Sequence, residues 1–335
     1  MTTLKNWLLI GFGAGFILLM LGWSILFHSQ GAKIPKTVMT NGDEGFAAAP
    51  FSPSSQIMFG TDRDGYHMFY KVVDGAVYTL GAAIAISLVA FLLAFLVGVL
   101  MGFWKPAVRR YSDKVLMGFY FIPQSIIAYN VLYPLLWETE EGFTTTLNER
   151  IIWTILVLAF IMLPTTAILI SNETKEILGK EFIAGARVLG GSRFFLFWKH
   201  VLPHLKGRLF ILFPKLVIQA LLIIAHLGFF TIYFGGTDVC YDPAGCDPPK
   251  PFVQEWASIM GTNYSEIYNA WWIFMTPMLF FSLAIIALTA TTKGLEGLLD
   301  PSVKPRKKKV ISSHSHASSA VTAESFHRVG KEVSS

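Results

Sequence analysis

Long apolar runs dominate the pattern of this chain. Six stretches, at residues 7–27, 76–103, 116–137, 151–171, 209–234 and 271–291, are almost free of charged side chains. Each is long enough for a helix to cross a bilayer, which takes about 20 apolar residues at a rise of about 1.5 Å per residue. The pattern predicts an all-α membrane protein with about six transmembrane helices. Pro123, Pro134, Pro164, Pro214 and Pro277 lie in or near these spans. They do not exclude a span, because neighbouring helices can satisfy the carbonyls a proline frees. The first run follows a single lysine, Lys5, and ends Ile25-Leu26-Phe27-His28 without a clean small-residue cleavage site. It reads as a retained anchor rather than a cleaved signal.

Composition agrees with lipid as the solvent. Of 335 residues, 53% are hydrophobic and 15% charged, against about a quarter charged in soluble domains. The distribution of charge then sets an orientation. With the N-terminus inside, basic residues crowd the inner segments, as Lys105, Arg109, Arg110 and Lys114, then along 175–208, then along 293–331. Acidic residues gather outside, at Glu138, Glu140, Glu141, Glu149, Asp238, Asp242 and Asp247. Cytoplasmic loops collect Lys and Arg, so both termini are expected in the cytoplasm.

This divides the chain into an anchor at 1–27, an extracellular segment at 28–74, a transmembrane domain at 75–301 and a tail at 302–335. The tail opens on Lys304-Pro305-Arg306-Lys307-Lys308-Lys309 and turns Ser-, His- and Ala-rich. It is expected to be disordered, its basic cluster suited to anionic lipid rather than nucleic acid. His314 and His316 belong to that solvated stretch. Cys240 and Cys246 share one outer loop, where a small-loop disulfide is chemically allowed and two free thiols are the alternative. With Asp238, Asp242 and Asp247 they lack a metal-ligand spacing, so no metal and no cofactor is expected.

The inner segment 172–208 is patterned. Phe182, Ala186 and Leu189 recur at helical spacing, as do Phe194, Phe197, Trp198 and Val201, on either side of Gly190-Gly191. Glycine permits a sharp turn there, and Pro203 marks the end of the second helix or a kink toward the next span. A short helix-turn-helix results, with Arg187, Arg193 and Lys199 beside it. Such a shape suits a groove on a soluble partner or the lipid surface, and the two are compatible.

The run Ala184-Gly185-Ala186-Arg187, with Gly190, Gly191 and then His200-Val201-Leu202-Pro203, resembles the coupling loop (the EAA motif) of bacterial ABC importer permeases. Ala184 stands where many of those carry Glu, Gly185 where they carry Ala, and His200 where they carry Ile. The texture is similar to the dipeptide, oligopeptide and nickel branch. Phe59-Gly60-Thr61-Asp62 with Gly65 resembles a motif of that branch's C-type subunit, but Tyr66-His67 replaces its Arg-Asp pair. Glu255-Trp256-Ala257 and the run from Gly294 to Pro301 are similar to its closing elements.

The resemblance implies a type I importer: an anchor plus a five-helix core, with a second permease subunit completing a heterodimer. Two ATP-binding-cassette ATPase subunits would dock on the coupling loop, and an extracellular solute-binding protein would deliver peptides or related solutes. ATP hydrolysis would belong to the partner, since no Gly-x-x-x-x-Gly-Lys-Ser/Thr loop occurs here, and this chain is not expected to be an enzyme. The membrane would be the bacterial inner membrane. Within the spans, Gln124, Tyr129, Asn130, Gln219 and His226 are the polar groups that face either a solute path or a neighbouring helix. His226 alone gives little support to nickel or a metal chelate as cargo. An ion-coupled secondary transporter is the rival class, and it would be expected to show buried acids in the spans.

Overall fold

A computed structural model describes residues 2–42, 45–104, 106–242 and 245–299. The expectations for Lys105, for Asp300 and Pro301, for the tail from residue 302 and for the side chain of Arg109 fall outside the described residues. Among the described residues, five helices are long and apolar enough to cross a membrane: α1 (Thr2–Ser29), α2 (Met68–Gly102), α5 (Leu147–Leu178), α8 (Leu202–Phe229) and α10 (Trp271–Leu299). The run predicted as a third span is broken. It begins in α3 (Pro106–Met117) and a short 3-10 turn, then bends by 84° into α4 (Gln124–Leu136). Pro123 caps α4 with ψ 120°. A proline disfavours helical geometry in the residue before it, here Ile122, and cannot donate a hydrogen bond, so the helix stops and restarts.

The core helices approach closely because their facing positions are small. Ala76, Ala83, Ala90, Ala94 and Gly98 of α2 are buried along one side, and α2 packs along α5. A Cβ at Gly98 would sit 2.7 Å from the carbonyl oxygen of Ala167 on α5. Small residues do this in membranes because lipid supplies no hydrophobic drive between helices, and contact area must substitute. The anchor α1 lies along α10 in the same manner, with Gly13 against the Ala287 carbonyl and Gly294 against Ile10. Helix α8 sits among α2, α4, α5 and α10.

Helix α2 starts at Met68, earlier than hydropathy predicts, and both charged residues of its first two turns have partners. Lys71 reaches buried Asp62 at 2.7 Å, and Asp74 lies 3.4 Å from His28. The segment before it carries a hairpin of β1 (Met39–Gly42) and β2 (Gly45–Ala48), and a second ribbon joins β3 (Thr237–Asp238) to β4 (Lys250–Pro251). Helices α6 (Glu181–Val188) and α7 (Arg193–Leu196) link α5 to α8, and α9 (Trp256–Thr262) precedes α10. Helix α5 is roughly 48 Å long at 1.5 Å per residue. Its first turn meets the β3–β4 loops through Arg150, whose Nε donates to Gly235 O at 2.7 Å. The α6–α7 link therefore hangs from the opposite end of the bundle.

Candidate functional site

Two features stand apart from the packed core: a projecting apolar knob and a polar cavity. The knob is built from α6 and α7. Ile183, Leu196 and Val201 are buried and hold it to the bundle, while Val188 is 88% exposed, Leu189 90% and Phe194 74%. Helix α6 ends because Gly190 takes φ +88°, a left-handed cap. The Gly190 amide donates to Arg187 O and the Gly191 amide to Ala186 O, each at 3.0 Å. Ser192 then caps α7 by accepting from the Phe195 amide at 3.2 Å.

Of the residues expected here, Ala184, Gly185, Arg187 and Gly190 are exposed, whereas Ala186 and Gly191 pack partly inside the turn. Leu202 and Pro203 open α8, directly after a π-helical turn at Phe197–Val201. The ring of Phe182 rests on His204 and His200, at 5.1 and 6.1 Å, so His200 packs against the knob's base.

The cavity, about 510 Å³, lies where the broken α3–α4 pair meets α5 and α8. The break leaves polar groups among helices long and apolar enough to cross a membrane, tolerable where they line a cavity or meet partners. Gln219 Nε2 donates to Gln124 Oε1 at 2.6 Å, and Gln124 Nε2 donates to Thr165 Oγ1 at 3.2 Å. Tyr120 donates to the Thr165 carbonyl at 3.1 Å. His226 also lines this space.

Asn130 and Tyr129 are not on the cavity wall. The Asn130 amide donates to Ile126 O of its own helix, and Tyr129 packs against Tyr133 and Phe230. Single-residue polarity could not separate these two from the cavity residues; their direction on α4 depends on where the break falls. Sequence reasoning also missed Thr165 and Lys215 on the wall. Lys215 was legible as a charge within an apolar run.

The far end is a closed cap. Asp62 Oδ1 accepts the Tyr66 amide at 2.8 Å, and Gly60 packs where a Cβ would meet the Trp272 ring at 2.6 Å. The Glu255 carboxylate is fully buried and caps α9, accepting from the Ala257 and Ser258 amides at 2.7 and 2.6 Å. Burial pushes its pKa up to about 7, and those amides oppose the shift. The Trp256 indole donates to Val72 O at 2.7 Å. A polar recess of about 340 Å³ opens beside this cap between the Asp62–Asp64 loop and the Asp247–Pro251 stretch. The Cα atoms of Cys240 and Cys246 are 5.4 Å apart with their sulfurs adjacent. Among the described residues, no group of three or more His, Cys, Asp or Glu could hold a metal ion.

A helical bundle crossing the bilayer several times, with a polar cavity at membrane depth and a knob at one end, defines a multi-pass membrane transport component. Residues 94–305 match the binding-protein-dependent transport system inner membrane component, and the chain belongs to that family. It is similar to the di/tripeptide transport system permease protein of Pseudomonas aeruginosa, at 23% identity over 75% of this chain and 74% of the relative. A putative peptide transport system permease protein of Brucella suis is 22% identical over 75% and 76%. The glutathione transport system permease protein of Shigella flexneri is 25% identical over 75% and 74%. These relatives are permease subunits, not enzymes. The chain is thus a permease of the peptide branch of ABC importers.

Proposed function

We propose that this chain forms half of the pore of an ATP-driven importer for peptides or related small solutes, in a heterodimer with a second permease subunit. Two ATPase subunits dock on the α6–α7 knob, and a solute-binding protein engages the opposite face. Both termini lie in the cytoplasm, which puts the basic knob segment inside and the acid-rich loops outside. The Cys240–Cys246 pair is then in an oxidising compartment and forms a disulfide. The solute passes the cavity at Gln124, Gln219 and His226, and the residues of the knob, from Ala184 to Pro203, pass the motion of the ATPases to it.

The observation that carries this reading is the knob's exposed apolar tip. Val188, Leu189 and Phe194 are open to their surroundings, although a short loop at a membrane surface gains nothing by exposing them to water. A groove on a partner covers them. Gly190→Val tests the coupling. A Cβ there meets nothing within 4 Å, so the substitution acts through backbone strain at φ +88°, about 1–2 kcal/mol for a side chain in left-handed geometry. Membrane insertion should persist while ATP-dependent peptide uptake is lost. Normal uptake and normal ATPase co-purification would refute the assignment.

A further inference from the structure

Lys215 is a charge inside a membrane-spanning helix, and an intramembrane cation is costly unless it has a use. Lys215, Gln219, Leu222 and His226 recur every three to four residues, so one face of α8 presents them together. All four line the 510 Å³ cavity. Lys215 also lines a second recess of about 270 Å³ toward the knob end, shared with Glu173, Arg208 and Glu296. It stands at the junction of the two spaces.

The neighbouring cation is already engaged. Arg208 pairs with Glu173 and donates to Glu176 at 3.0 Å. Lys215 differs. Its ammonium donates to Glu296 Oε1 at 2.7 Å, yet half of its side chain, 51%, remains exposed. An ammonium has three N–H donors in different directions, so one bond to Glu296 leaves two for another acceptor. No Asp or Glu lines the larger cavity among the described residues. A solute there meets a cation and neutral amides, with the Glu296 carboxylate held in the other recess.

We propose that Lys215 is the carboxylate subsite of the solute path, with Glu296 as the residue that positions its ammonium. The subsite takes a solute bearing a carboxylate, such as the C-terminus of a short peptide, and disfavours a solute presenting only a cation. This rests on the reading of the cavity as the solute path. It adds a preference that neither the knob nor the glutamines supply.

The test uses the full complex, with second permease, ATPase and binding protein, reconstituted in liposomes. Uptake of dialanine is compared with that of its C-terminal amide, and with alanyl-aspartate amide, which offers a side-chain carboxylate instead. The wild type should favour both carboxylate-bearing probes. Lys215→Met should lower that preference roughly tenfold, the size of one lost charge-assisted hydrogen bond, with amide uptake retained. Lys215→Met with Glu296→Met removes both charges, avoids an unpaired acid, and should behave alike. Glu296→Gln should keep the preference.

A uniform drop for all probes in Lys215→Met, matched by Glu296→Gln, would mean a structural ion pair and overturn the proposal. If only dialanine responds, the subsite is specific for a main-chain carboxylate, which upholds it in narrower form. Failure of the wild type to take up any probe would sink the importer reading itself. Uptake by the wild type with an unchanged preference in both methionine variants would sink only this inference.

Discussion

Glu255 shows how one residue fastens the cap to the bundle and makes it sensitive to pH. Its carboxylate accepts the first free amides of α9, donors that no helical carbonyl can satisfy. Burial raises its pKa from 4.5 to about 7. Between those values the folded chain holds a proton that the unfolded chain has released. The stability it contributes is therefore full at low pH, is lost as pH rises to about 7, and is level above. The melting temperature of the purified subunit in detergent should decline across that window, and Glu255→Gln should flatten the decline. An unchanged slope in the variant would assign the pH dependence to another group. Asp62 works differently: its partner Lys71 is a cation, and the pair closes the start of α2.

Among the elements, the broken α3–α4 pair does most to shape the cavity. A continuous helix would carry Gln124 along a straight axis, whereas the 84° bend turns the start of α4 toward α5 and α8. Pro123 is the smallest lever on this geometry. Pro123→Ala restores an amide donor and lifts the restriction on Ile122. We expect uptake by the reconstituted complex to fall several-fold while thermal stability holds or rises slightly, since a helix gains where a path is lost. Equal uptake would mean that the bend survives without proline, held by the Gln124–Gln219 and Gln124–Thr165 bonds alone. The knob is the second such element. Its two helices are too short to be stable alone, and Ile183, Leu196 and Val201 bind them to the bundle. The turn at Phe197–Val201 joins the knob directly to α8.

For the whole molecule, the prediction concerns assembly. Val188 and Leu189 are almost fully exposed, so replacing both with Glu removes little from the subunit's own packing. Membrane insertion and the melting temperature should be unchanged. Co-purification with the ATPase should be lost, because two carboxylates would have to be desolvated in an apolar groove, at several kcal/mol each. Retained co-purification would place the ATPase contact elsewhere. Large apolar residues also remain exposed along α1, α2, α5 and α10, as expected of surfaces solvated by lipid.

The sequence by itself determined that this chain crosses a membrane five or six times and where the knob turns. Both follow from local physics: a run of apolar side chains sets the solvent, and Gly190 sets a left-handed cap whatever surrounds it. Glu255-Trp256-Ala257 was legible as a motif, but its role as a buried cap against α2 was not. The tertiary structure alone decided which polar residues share a space. Gln124 and Gln219 meet, and Asn130 does not join them, because a bend at Pro123 rotates α4 by an angle that depends on α5 and α8. It also decided that Lys215 is only half covered. A charge in an apolar run announces that it needs a partner, and only the packing of α8 against α10 shows that Glu296 meets that need on one side and leaves the other open.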